Sequence, residues 1–217
     1  TAQLSNDPDK ESYGDADLIY RGDIDAWRRF ANSLRLRMAI RVRYKDQALA
    51  QANITDVINA PLITSDDQSA KLLSEANASV NQGYYSPFRY MIDVDYTNGL
   101  RLGFTPVELL KTKNDPRLSV YFNSSTLGAV WRGAPVNLGT GQNGARYQTD
   151  SLSLAGDFFR TTQFRFNVLS AAEVSFLKAE ATLFGLTGGG DAQSLFADGI
   201  QNAMKMYNIS QADINTF

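Results

Sequence analysis

The segment 170–207 leaves this chain little choice of fold. Its first part reads S-A-A-E-V-S-F-L-K-A-E-A-T-L-F-G. Ser170 and Glu173 stand at the S-x-x-E spacing of a capping box. In that motif the hydroxyl accepts from a first-turn N–H and the carboxylate reaches back to the cap. Val174, Leu177, the stem of Lys178, Ala181 and Phe184 then recur at helical spacing. Ala171, Ala172, Ala179 and Ala181 are small enough to let another helix approach closely. Gly185 supplies the stop, since glycine enters the left-handed conformation without a Cβ penalty. Asp191 is a suitable N-cap for a second helix over 192–207, with Leu195, Phe196, Ile200, Ala203, Met204 and Tyr207 as its apolar line. Two capped helices joined by a glycine-rich turn form an αα-hairpin. The chain is predicted to be mainly α and built around such hairpins.

A second hairpin is predicted between positions 23 and 59. Asp23 or Asp25 caps a helix running to about Arg43, with Trp27, Ala31, Leu34, Met38 and Val42 on one face. Phe30, Leu36, Ala39 and Ile40 widen that face beyond half the circumference, which predicts a central helix. Seven basic side chains lie from Arg28 to Lys45 with no acid among them. They suit either an anionic ligand or, as favoured here, arginine stems that cover apolar surface and pair with acids from other segments. Asn32 and Ser33 are poor mid-helix residues and are expected to tie down a neighbouring loop. Asp46 restarts a helix over 47–59, with Leu49, Ala52, Ile54, Val57 and Ile58 apolar, and Pro61 ends it.

The rest is less periodic. Residues 1–16 read as a loose segment, and 62–104 and 123–168 as long loop regions within one domain spanning 1–217. A short helix is expected near 85–94. Tyr84, Tyr85, Phe88, Tyr90 and Tyr96 cluster in the first loop region, where pinning it onto helices is the ordinary role of a tyrosine. Thr105-Pro106-Val107-Glu108 resembles a cap with proline at the first helical position. Asp115-Pro116-Arg117-Leu118 repeats the device with Asp as cap, and Arg117 is expected in a structural ion pair. Short strands are predicted over 145–154 and 161–168, with Gln163, Arg165 and Asn167 facing one way and Phe164, Phe166 and Val168 the other. Trp131 sits in G-A-V-W-R-G-A-P, as a clamp on helices or as a stacking platform for a ligand.

Composition removes several functions. The chain has no Cys and no His, so thiol nucleophiles, Ser–His–Asp triads and Cys- or His-based zinc sites are out. A net charge of −2 disfavours nucleic acid. No apolar run approaches the length of a membrane span. Thr187-Gly188-Gly189-Gly190 lacks the lysine and the preceding strand of a phosphate loop. Asp66, Asp67, Asp93 and Asp95 could join a calcium site only if the fold gathered them. No cofactor is implied.

Four blocks together resemble one family. They are G-D-I-D-A-W-R-R-F-A-N-S-L-R-L-R-M-A-I-R at 22–41, N-D-P-R-L at 114–118, S-A-A-E-V-S-F-L-K-A-E-A at 170–181 and G-G-G-D-A-Q-S-L-F-A-D-G-I-Q-N-A-M at 188–204. They are similar to the SusD/RagB-like outer-membrane lipoproteins, and they occur in that family's order. The resemblance implies tetratricopeptide-like helix hairpins crossed by long irregular loops and a few short strands. It also implies a lipid-anchored, non-enzymatic protein at the cell surface that captures glycans, or peptides in some members, for a SusC-like TonB-dependent transporter. The family's lipidated cysteine, N-terminal helical region and C-terminal segment are not in this sequence, so an internal piece of a longer protein is expected.

Sugars stack their C–H faces on aromatic rings, and Asn, Asp, Gln and Arg bond their hydroxyls. On that basis the candidate ligand-binding residues are Trp131, Tyr84, Tyr85 and Tyr96, with Asn81, Asn98 and Arg132 as polar partners. The competing reading is a helical-repeat scaffold that binds only protein or peptide. An enzyme working through carboxylates stands behind both.

Overall fold

The structure, a computed structural model, describes residues 13–74, 86–92, 101, 103–135 and 149–217. Its helices and strands, in chain order, are α1 (Ile24–Val42), α2 (Gln47–Val57), β1 (Ala70–Leu73), α3 (Pro87–Tyr90), α4 (Phe104–Thr112), α5 (Leu118–Tyr121), β2 (Phe122–Asn123), β3 (Leu154–Ala155), β4 (Arg165–Leu169), α6 (Ala171–Leu183), α7 (Ala192–Lys205) and α8 (Gln211–Thr216). The fold is mainly helical, as the hairpin signatures predict. Among the described residues strands form the pairs β1–β4 and β2–β3, the latter antiparallel with Phe122 opposite Ala155. The chain divides into two compact units, one of residues up to 72 plus 166–206, the other of 73–165 plus 207–217.

The first unit holds the two expected hairpins, α1–α2 and α6–α7, with α1 also packed on α6. Leu36, Ile54, Ile63, Val174 and Leu169 are buried to 1% or less at its centre. Each such side chain removed from water stabilises by roughly 1.5–3 kcal/mol. The buried face of α1 differs from the one predicted. Ser33, Leu36 and Ile40 face the core, while Met38 is 56% exposed. A helix apolar over most of its circumference does not reveal its orientation by periodicity alone. Polar commitments decide it instead. The Asn32 amide donates to the Pro61 carbonyl at 2.9 Å, and the Ser33 hydroxyl accepts from the Ile63 N–H at 3.0 Å. The two mid-helix residues thus hang the following loop from α1, as expected from their low helix propensity.

The same rotation places the arginines. Arg37 Nε lies 2.9 Å from a Glu173 carboxylate oxygen and Arg43 Nη1 2.6 Å from Glu180, both across to α6, and Arg35 reaches Asp56 of α2 at 2.7 Å. Arg43 is also sandwiched between the rings of Tyr44 and Phe184, at 4.1 and 4.2 Å from their centroids. Three of the seven basic residues thus tie helix to helix, and Arg28 and Arg29 pair with Asp25 and Asp23 at the start of α1 itself, as the favoured reading of stems and ion pairs expects in part.

At the start of α6 the Ser170 hydroxyl accepts from the Glu173 N–H at 3.2 Å, but the Glu173 carboxylate goes to Arg37 instead of returning to the cap. The end of α6 is a Schellman motif. Gly185 (φ +71) donates to the Thr182 carbonyl, and buried Leu186 donates to that of Ala181. Asp191 caps α7 through the Gln193 N–H at 3.0 Å. The alanines of α6 are buried, yet the closest approach depends on Gly199 of α7, where a Cβ would fall 2.5 Å from the Phe176 ring. α7 stops at Lys205, two residues short of the predicted end, and α2 stops at Val57 with Leu49 exposed.

In the second unit the first correction concerns α4. It begins at Phe104 with Gly103 as N-cap and no side-chain cap, so Thr105 and Pro106 lie inside its first turn. Glu108 is drawn to Lys111 at 2.9 Å. Asp115 does not cap α5. It accepts from the Arg117 N–H at 2.9 Å and forms a two-pronged ion pair with the same guanidinium. The structural role expected of Arg117 holds, and Asp115 is 5% exposed. Of the predicted strand 145–154, residues 145–148 lie outside the described residues and 149–151 form a 3₁₀ turn. β4 does not alternate as predicted either, since Val168 is 46% exposed.

An aromatic cluster replaces regular layers here. Phe88 and Phe164 have centroids 4.8 Å apart, and Tyr207 stands edge-on to both Phe158 and Tyr121 at 5.0 Å. Burial and the neighbouring Tyr207 push the Tyr121 hydroxyl pKa well up, so Tyr121 stays neutral. Gly14–Ala16 form a 3₁₀ turn within the segment read as loose, and 1–12 lie outside the described residues.

Candidate ligand-binding site

Of the candidate residues, Trp131 and Arg132 lie within the described residues, whereas Asn81, Tyr84, Tyr85, Tyr96 and Asn98 lie outside them. The segment carrying Trp131 has no regular structure, and its shape comes from side-chain and backbone ties. Ser125 closes a loop. Its hydroxyl accepts from the Val130 N–H at 3.1 Å and donates to the Leu127 carbonyl at 2.8 Å, while its N–H donates to the Val130 carbonyl at 2.9 Å. Leu127 N–H donates to the Asp150 carbonyl at 2.7 Å. Arg132 is gripped from both sides by Ser153, which is fully buried. The Ser153 hydroxyl accepts from the Arg132 N–H at 2.9 Å, and the Ser153 N–H donates to the Arg132 carbonyl at 2.7 Å.

The next residues lie directly on another stretch of backbone. Gly103 bridges Ala134, and the Phe104 N–H donates to the Ala134 carbonyl at 2.7 Å. A Cβ on Gly133 would meet the Gly103 carbonyl and fall 2.5 Å from the Phe104 Cα, so glycine is required there by close approach. Arg101 bridges Leu154 on the far side. Arg101, residues 103–104 and segments 125–134 and 150–155 are therefore one backbone-fixed platform.

On this platform Trp131 is half-buried. Among the described residues its ring pairs with no other ring and its indole N–H has no acceptor. Val130 and Leu127 beside it are 37% and 61% exposed. Charged residues occur on the same platform. Arg132 is half-buried, and the Arg101 pKa is lowered by burial, with the Asp150 carboxylate working against that shift. Arg101 and Asp150 were missed in the sequence because no motif or periodicity marks them. Only backbone links, Arg101 to Leu154 and Leu127 to Asp150, bring them onto the platform that carries Trp131. The platform carries an indole face together with charged side chains, a combination that suits a ligand with both C–H faces and hydroxyls. Among the described residues no group of three or more acids gathers as a metal site. Asp66 instead lies 3.8 Å from Lys71, and Asp93 and Asp95 are outside the described residues.

Solved structures of other proteins place this architecture in a class, the SusD-like helical fold. A chitin-binding SusD homologue from Flavobacterium johnsoniae is 27% identical with a TM-score of 0.75, over 97% of this chain and 42% of its own. A SusD homologue from Bacteroides vulgatus is 26% identical with a TM-score of 0.68, over 90% of this chain and 38% of its own. A chitin-binding protein at 22% identity shares the fold with a TM-score of 0.74, over 92% of this chain and 46% of its own. The chain thus spans less than half the length of these neighbours. It belongs to the SusD-like family, the SusD and RagB outer membrane lipoproteins, whose family model matches residues 1–216. No curated protein matches it. Among the described residues no helix is long and apolar enough to cross a membrane.

Proposed function

We propose that this chain is part of a non-enzymatic glycan-binding protein at the outer-membrane surface, which passes its ligand to a SusC-like TonB-dependent transporter. The observation that carries this is Trp131, a half-buried indole without a ring partner among the described residues, on a platform whose backbone is pinned by Ser125, Ser153 and Gly133. A rigid, unpartnered aromatic costs little entropy when a sugar stacks on it. The chitin-binding activity of a SusD homologue at 27% identity supports glycan as the ligand class. Trp131 is the stacking surface and Arg132 a hydroxyl partner. Tyr84, Tyr85, Tyr96, Asn81 and Asn98 complete the site, and 1–217 works as a single domain.

The test is affinity electrophoresis and calorimetry of the chain against chito-oligosaccharides and a panel of other glycans. Binding to at least one glycan is expected, and Trp131→Ala should weaken it about tenfold or more, as for other aromatic stacking contacts. Undiminished affinity in Trp131→Ala would remove Trp131 from the site. Silence toward every glycan, with binding to peptides, would favour the scaffold alternative.

A further inference from the structure

A second concave surface lies within the first unit, apart from the Trp131 platform. It is a groove of about 290 Å³ between α6, α7 and the 63–64 segment. That is at the small end of ligand pockets, which start at roughly 300 Å³. Its floor is buried Ile63 and Ser175, and its α7 wall is the stripe Asp198, Gln201, Asn202 and Lys205 at helical spacing. Asn202 is already committed. Its amide donates to the Ser175 hydroxyl at 3.2 Å, tying α7 to α6, and lies 3.5 Å from the Thr64 carbonyl.

Thr64 is committed as well, its hydroxyl donating to Gln68 at 3.1 Å, whereas four longer polar side chains are not. Lys178 of α6 and Lys205 of α7 line the groove and form no ion pair with any acid among the described residues. In the same unit the half-buried Arg35, Arg37, Arg43 and Lys71 pair, while the exposed Arg41 and Lys45 do not among the described residues. The acids of α6, Glu173 and Glu180, are taken up by α1 and leave Lys178 unopposed. Asp198 and Gln201 likewise make no hydrogen bond among the described residues.

We infer that this groove is a subsite for a small carboxylate-bearing sugar, a uronic-acid unit. The two ammonium groups, contributed by the two helices, hold the carboxylate with charge-assisted hydrogen bonds. Asp198 accepts from the hydroxyls, and Gln201 both donates and accepts. The lining favours a sugar over an acidic peptide, because Asp198 and Gln201 find partners in the ring hydroxyls of a sugar, which an acidic side chain does not offer. Only Ile63 and Leu195 give apolar contact, enough for one ring face and too little for hydrophobic side chains. The subsite does not depend on the Trp131 site being occupied.

The experiment is backbone-amide NMR titration of the full chain with galacturonic acid and its dimer, in parallel with galactose, acetate and a glutamate-rich peptide. Saturable shifts of α6 and α7 amides are expected with the uronic acids, at least about tenfold weaker with galactose. The Lys178→Gln/Lys205→Gln double variant, with both changes on the groove wall, should lose the response about tenfold or more, by the strength of charge-assisted bonds. Trp131→Ala should leave it intact, which separates failure here from failure of the platform. Absence of saturable shifts overturns the inference. So does an equal response to acetate, or tighter binding of the peptide at the same amides.

Discussion

The two tryptophans of this chain are held in opposite ways. Trp27, near the start of α1, donates its indole N–H to the Asp17 carboxylate at 2.6 Å and stands edge-on to Tyr20 and Phe30 at 5.3 and 5.5 Å. Asp17 in turn accepts from the Ile19, Tyr20 and Gly22 N–H groups. Burial would raise the Asp17 pKa, but those bonds hold it below its ordinary value. Trp131 has the reverse arrangement, with its backbone fixed and its ring uncommitted among the described residues. One ring is spent on internal structure, with every polar and aromatic neighbour engaged. The other is positioned with equal care and left available. What separates a structural aromatic from a candidate ligand contact is the commitment of its own atoms, since both are half-buried.

The sharpest way to break this contrast is to remove Trp27. Trp27→Ala should cost about 3 kcal/mol in denaturant unfolding, the low end for a large aromatic, and leave glycan affinity unchanged. A loss below 1 kcal/mol would mean that its contacts are idle. Next comes Ser33→Ala, which leaves the buried Ile63 N–H without its acceptor. It should cost about 2 kcal/mol, and amide exchange at Ile63 should accelerate more than at Leu36.

Asp115→Asn tests the second unit's own anchor. Burial alone would raise the Asp115 pKa, but the Arg117 hydrogen bonds and charge more than reverse this, so its folded value is depressed. Its contribution is therefore complete above the ordinary carboxylate range and lost as pH falls through the folded value. The variant should be about 2 kcal/mol less stable near pH 7, and the gap should narrow below about pH 4. A gap independent of pH would assign the effect to packing. The smallest stability change belongs to Trp131→Ala, below about 1 kcal/mol for a ring without partners. A Trp131 variant as damaging as that of Trp27 would make it a clamp.

Much of the scaffold could be read from the chain because its signals are local. A cap such as Ser170 or Asp191 and a stop such as Gly185 act within one turn, so spacing reveals them. The Asn32–Ser33 pair was legible for the same reason, as residues that fit a helix badly and had to serve something else. Helix orientation was less legible. α1 is apolar over more than half its circumference, and its rotation is settled by the Asn32 and Ser33 bonds to the 61–63 segment and by acids on α6 more than a hundred residues away in sequence. The start of α4 was misread because the bridge between Gly103 and Ala134 fixes it from outside the motif. The platform was hardest of all. Trp131 stood out by type, but Arg101, Asp150 and Ser153 join it only through long-range backbone pairing, which has no periodic trace.

The lack of room at Gly133 has one last implication. A library of chains randomised through the 125–134 loop and sorted only for solubility should return glycine at position 133 almost without exception, because its neighbour is main chain and cannot step aside. Position 131 should drift freely in the same pool, and regain tryptophan only when the sort demands capture of a sugar. Architecture and appetite would then be read from two residues separated only by Arg132.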